Sequence, residues 1–191
     1  MNQSILRFTT TLEPLVAAGR SDQDIATEAA RALRVLLRDK DFLTDEQRRP
    51  DPDRYAQHIV YVHPKRAYSI VSLVWLPGQR TPIHDHVCWC VTGVLEGREQ
   101  ETCYALRDGE DGPELVVTGH AVNEVGDVSR LVPPEENIHQ VTNAGSGVAI
   151  SLHVYGADIA ARGTSVNKVF RQQVLTSAPS GPTRSWRAAQ H

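Results

Sequence analysis

From Ser21 to Arg38, the apolar positions Ile25, Ala26, Ala29, Ala30, Leu33, Leu36 and Leu37 recur at helical spacing and form one stripe. Ser21 is placed to cap this segment, and Asp22 and Asp24 fall in the first turn, where carboxylates complement unpaired backbone N–H groups. Ser4 to Ala18 predicts a second helix, weakened by Pro14 and by the run Thr9 to Thr11, and Thr44 to Arg48 predicts a short helix closed by Pro50. Residues 1–50 are therefore expected to form a helical layer.

After Asp53 the pattern changes to short β-branched and aromatic runs: His58 to Val62, Tyr68 to Leu76, Cys88 to Leu95, Glu101 to Leu106, Glu114 to Thr118, Val128 to Val132 and Val148 to Tyr155. Turn signals separate them, among them Pro77-Gly78, Glu96-Gly97, Asp108-Gly109, Gly126-Asp127 and Pro133-Pro134. Many short strands at regular spacing predict an antiparallel sandwich or a small barrel. The last stretch, residues 176–191, is rich in Ser, Pro, Gly and Arg and reads as a loose tail.

Composition narrows the function. The 191 residues are 40% hydrophobic, enough for a core, and carry a net charge of −3 with no Lys/Arg block. Neither nucleic acid nor an anionic membrane is an expected partner. No apolar run approaches the ~18 residues a spanning helix needs, and Met1 to Leu12 has no secretory-signal pattern, so a cytoplasmic protein is expected. Cys88, Cys90 and Cys103 match neither a disulfide framework nor a zinc spacing by themselves.

The chemistry lies in the histidines. His84-Asp85-His86 places two imidazoles on one face of a strand, where both reach a single ion while Asp85 turns away. Isolated His-x-His pairs are more often surface residues, but this one follows Pro77-Gly78 and precedes Gly93 and Gly97, with Gly126, His139 and Asn143 further on. In this setting residues 54–160 resemble the cupin superfamily, which implies a mainly β, jelly-roll-like barrel or sandwich behind the helical layer. One cupin domain would then span residues 1–175. The glutamate that commonly follows the cupin His-x-His pair is replaced here by Cys90 and Val91, so the implied metal ligands are His84, His86 and His139. Three neutral imidazoles leave the full charge of a divalent ion unbalanced, a setting that welcomes a thiolate. Zinc accepts the same donors.

Ser151-Leu152-His153-Val154-Tyr155 sends a hydroxyl, an imidazole and a phenol to one strand face. By itself this suits an ordinary half-buried strand. At this distance behind the histidines, the row resembles the thiol dioxygenases, the family of cysteine dioxygenase and 3-mercaptopropionate dioxygenase. The resemblance implies Fe(II) as cofactor, nickel or zinc being the alternatives, and a small thiol and O2 as reactants. Tyr155 would act on the bound reactants, with His153 and Ser151 orienting it.

In cysteine-specific members an arginine in a Tyr-x-Arg segment binds the substrate carboxylate, whereas relatives preferring 3-mercaptopropionate have glutamine. This chain reads Tyr55-Ala56-Gln57. Gln57 donates hydrogen bonds without charge, so a cation such as Arg162 is expected to assist. Both residues also suit plain surface roles. Strand alternation from His86 places Cys88 and Cys90 on the ligand face if no bulge intervenes, and a Cys90 to Tyr155 thioether, which some eukaryotic members form, stands beside the plainer state of a buried thiol. The expected function is a thiol dioxygenase acting on a 3-mercaptopropionate-like acid. Cysteine, a pathway-specific thiol, and a non-catalytic metal-binding sensor of the same fold are the competing readings.

Overall fold

The computed structural model describes residues 2–109, 112–134 and 137–175; the expected tail at 176–191 lies outside them. Two helices open the chain, α1 (Gln3–Ala17) and α2 (Asp22–Leu36). Ser21 caps α2 as expected, its side chain accepting from the Asp24 N–H. Helix α1 runs through Pro14 despite the backbone hydrogen bond this costs, because Ile5, Phe8 and Leu12 bury one continuous face. The segment after Thr44 forms only a turn of 3-10 helix, Glu46–Arg48, with no buried residue to extend it.

Two β-sheets follow. The first holds β1 (Ala56–Val62), β2 (Ser69–Trp75), β4 (Cys90–Glu96), β7 (Val128–Leu131) and β9 (Ala149–Tyr155), in the order β1-β2-β9-β4-β7. The second holds β3 (His84–His86), β5 (Arg98–Gly109), β6 (Gly112–Glu124), β8 (Ile138–Asn143), β10 (Val166–Val169) and β11 (Val174–Leu175), in the order β10-β3-β8-β5-β6-β11. This is the mainly β cupin architecture. Strands β5 and β6 run well past the apolar runs that announce them, because the hairpin extends through charged residues that pair backbone to backbone. Strand β8 has no long apolar run of its own: burial alternates along it, with His139, Val141 and Asn143 inward.

Helix α2 covers the outer face of the first sheet. Leu33 and Leu37 reach Gly93 on β4, where an added Cβ would lie 2.7 Å from Leu37 Cδ1. One large apolar cluster joins Phe8, Leu12, Leu33 and Leu36 of the helices to Ile70, Val91, Leu152 and Val154 of the strands. Strands β2 and β9 are buried along their whole length, since one face meets the helices and the other meets the second sheet. Among the described residues no helix is long and apolar enough to cross a membrane.

Candidate metal centre

The second sheet brings the three histidines together. His84 and His86 project to one face of β3, and His84 sits in register with His139 of the antiparallel neighbour β8. All three are buried, with one ring nitrogen of each lying within 4.8 Å of the others. Two of the rings have a fixed tautomer. His84 Nδ1–H donates to the Pro82 carbonyl at 3.0 Å, and His139 Nδ1–H donates to Glu101 Oε1 at 2.7 Å, which leaves each Nε2 lone pair for an ion.

His86 Nε2 faces His139 Nε2 at 2.9 Å. That spacing is the separation of two ligands at right angles around an ion held at about 2.1 Å, so the donor set fits a divalent metal. Burial, then the neighbouring imidazoles, pushes His84 down to about 4 and moves His86 down further. Both are therefore neutral at pH 7, the form that ligates.

Glu101 is the residue that the sequence patterns missed. Burial raises its carboxyl, but the His139 hydrogen bond and charge, followed by Asn123 and His84, outweigh burial, and its proton affinity falls below the usual carboxylate value. Two residues before Cys103, which pairs with His139, Glu101 shares the inward face of β5. The buried carboxylate thus orients the His139 ring from outside the three-histidine cluster. Acidic residues at alternate positions of a strand, Glu99 and Glu101, were its only sequence signal.

The first sheet supplies the opposite wall. Ser151 Oγ lies 3.1 Å from His153 Nε2, and His153 Nδ1 lies 3.0 Å from the Tyr155 hydroxyl, a continuous row along the inner face of β9. His153 takes no place in the histidine cluster. The Tyr155 ring reaches across to His86, with centroids 5.9 Å apart. Burial first, then Cys90, pushes the Tyr155 phenol well above its usual value, so it keeps its proton.

Between the walls is a cavity of about 40 Å³, lined by His84, His86, His139, His153, Tyr155 and, at its mouth, Tyr55 and Gln57. Tyr55 is fixed by stacking on Trp75 at 4.5 Å, and Gln57, the second residue of β1, is exposed. Thr164 and Ser165, on the approach to β10, complete the lining and carry no motif. Arg162 does not join the cavity; it is exposed at the end of α3 (Ile159–Arg162), which turns it outward. The cations beside the mouth are instead Arg49 and Arg54, in an outer groove of about 690 Å³ that shares Tyr55 and Gln57 with the inner cavity.

Alternation from His86 does not hold as far as Cys90. The chain leaves the second sheet after β3 and enters the first at β4, so Cys90 owes its place to its pairing with Tyr155 across β4 and β9. Cys90 is fully buried, with Sγ 4.0 Å from His153 Nδ1, while Cys88 is half-buried.

Fold and site together define a cupin in which, among the described residues, three buried histidines form a cluster able to hold a metal ion. The model of the family described as cysteine dioxygenase type I matches residues 45–160, and the chain belongs to that family. Among solved structures, a protein of Thermus thermophilus is 24% identical, covering 60% of this chain and 96% of its own, with a TM-score of 0.43. A double-stranded β-helix protein of Klebsiella pneumoniae is 20% identical, covering 58% of this chain and 84% of its own, also at 0.43. A cupin protein of Desulfovibrio desulfuricans is 20% identical, covering 56% and 88%, at 0.40.

Proposed function

We propose that this protein is a non-haem iron thiol dioxygenase that adds both atoms of O2 to the sulfur of a small thiol carboxylate, 3-mercaptopropionate by preference, to give a sulfinate. The observation that carries this reading is the pairing of three buried imidazoles on one sheet with a Ser151, His153, Tyr155 row on the other, across one small cavity.

His84, His86 and His139 would hold the ion. When bound, Fe(II) supplies the Lewis acidity that favours the thiolate form of the substrate and the electron exchange that dioxygen chemistry needs. The Tyr155 hydroxyl, kept protonated by burial, donates a hydrogen bond into the space beside the histidines, where charge develops on oxygen. His153 and Ser151 hold that hydroxyl in place. A cavity of about 40 Å³ admits a few small atoms and excludes bulk water, which favours a short thiol over an aromatic or sugar substrate.

At the mouth, Gln57 offers a neutral donor to the substrate carboxylate. Arg54, which lines the same outer groove as Gln57 and is ion-paired to Asp51 at 3.7 Å, supplies a cation there. The test is oxygen uptake by iron-loaded protein with 3-mercaptopropionate, cysteine, cysteamine and mercaptosuccinate. Sulfinate formation with the first at the highest kcat/KM is expected, and no uptake with any thiol overturns the reading. Gln57→Arg adds a planar cation at the mouth, where charge-assisted hydrogen bonds are about twice as strong as neutral ones, and is expected to shift the kcat/KM ratio toward cysteine. An unchanged ratio removes Gln57 as the carboxylate contact.

A further inference from the structure

Glu99 is a buried carboxyl outside both the histidine cluster and the cavity lining. It is 3% exposed, and its Oε1 has no hydrogen-bond partner. It lies against Ser151 and Trp75, the residues at the inner end of the Tyr155 row. Trp75 Nε1–H donates to Ser151 Oγ at 3.1 Å, so the serine hydroxyl already accepts one bond. Its oxygen lies 3.1 Å from His153 Nε2, and the Glu99 carboxyl beside it is the other acceptor open to its single hydrogen.

The direction of every hydrogen along the row follows from which acceptor takes the Ser151 hydrogen. A protonated Glu99 donates to Ser151 Oγ, Ser151 O–H donates to His153 Nε2, and His153 Nδ1–H donates to the Tyr155 oxygen. The Tyr155 hydrogen is then free for the cavity. An ionised Glu99 accepts the Ser151 hydrogen instead. His153 then carries its proton on Nε2 and donates back to Ser151, while Nδ1 accepts from Tyr155. The hydrogen is drawn away from the reactants. The net change is one proton from Glu99 to solvent, with two hydroxyl rotations and a tautomer exchange at His153.

We propose that Glu99 is a positioning residue that sets the direction of the Ser151, His153, Tyr155 hydrogen-bond row, and so decides whether Tyr155 donates toward the metal cavity. The consequence for turnover rests on the thiol dioxygenase reading; the tautomer of His153 does not. Burial, opposed by Ser151 and assisted by Glu101, pushes the Glu99 carboxyl up to about 7, so both directions fall within an ordinary pH range. His153 itself stays neutral, pushed down to about 3 by burial and then by His139 and His84, so only its tautomer changes. Around Glu99, the charged group on β5 is Glu101; β6 and β8 place the neutral Asn123 and Asn143 opposite it in register, β2 presents Trp75, and β9 presents Ser151 with His153 behind.

The experiment is nitrogen-15 spectroscopy of the histidine-labelled full chain, with the diamagnetic ion zinc in excess. In the wild type, His153 Nε2 is expected to move from the unprotonated to the protonated range between about pH 6 and about pH 8, the interval centred on the Glu99 titration. In Glu99→Gln the carboxamide N–H always donates to Ser151, so Nε2 is expected to stay unprotonated throughout, and the pH profile of oxygen uptake to lose its fall across the same interval. A His153 tautomer that does not change in the wild type overturns the proposal, as does a Glu99→Gln variant that follows the wild-type shift. The wild-type series decides by itself if the variant does not fold. A tautomer switch without oxygen uptake by the iron-loaded wild type keeps the assignment of Glu99 and refutes the thiol dioxygenase reading.

Discussion

Tyr155→Phe removes one oxygen and almost no volume, which makes it the cleanest probe of the site. The fold and metal content are expected to survive, while kcat falls by about 10²-fold, the scale of one lost preorganised donor. Steady-state oxygen uptake beside metal analysis checks this, and unchanged turnover would return Tyr155 to a packing role. Glu101 tests the other wall. Glu101→Gln keeps a hydrogen-bond acceptor for His139 Nδ1–H but loses the charge that makes the ring a better ligand. Metal affinity is expected to drop about 10- to 100-fold, read by competition with a chelator, with secondary structure unchanged. An affinity equal to wild type would show that the Glu101 charge does not reach the ion.

Strand β9 is the element on which most of the site depends. It pairs on both edges, with β2 and β4, so its inward residues are held in fixed register against Cys90 and Thr92 on one side and Val71 and Leu73 on the other. Its end is fixed at Gly156, whose N–H donates to the Trp89 carbonyl at 2.9 Å. An added Cβ there would lie 2.3 Å from the Trp89 indole nitrogen, and a rigid ring cannot yield as a leucine terminus can. Gly156→Ala is therefore expected to cost about 1–3 kcal/mol, the range for overpacking, and to lower turnover by moving the adjacent Tyr155. Denaturant unfolding measures the first effect and oxygen uptake the second. Wild-type stability would mean that Trp89 repacks freely. Strand β8 shows the opposite case: half of its residues face partly outward, so its apolar pattern was too weak to read, although His139 within it stood out by its motif.

At the scale of the whole molecule, the site joins two sheets, and an ion bound to the second of them stabilises the native state by mass action. Iron or zinc at 100 times its dissociation constant adds about 2.7 kcal/mol. The Tm of the wild type is expected to fall on chelation, and that of His139→Ala to ignore it; equal shifts in both would place the ion elsewhere. The amphipathic stripe of α2, the His84-Asp85-His86 spacing and the alternation of Ser151, His153 and Tyr155 are all short-range patterns, set by residues within a few turns or one strand of each other, and the sequence by itself determined them. Local periodicity records which face a residue takes, because that follows from backbone geometry alone. It does not record which face meets which. The meeting of His86 with Tyr155, the support of His139 by Glu101, the pairing of Cys90 with Tyr155, the outward turn of Arg162 and the burial of Glu99 behind Ser151 depend on how the two sheets stack and on where the chain crosses between them after His86. Those contacts join residues far apart in the chain, and only the packing of the two sheets decided them.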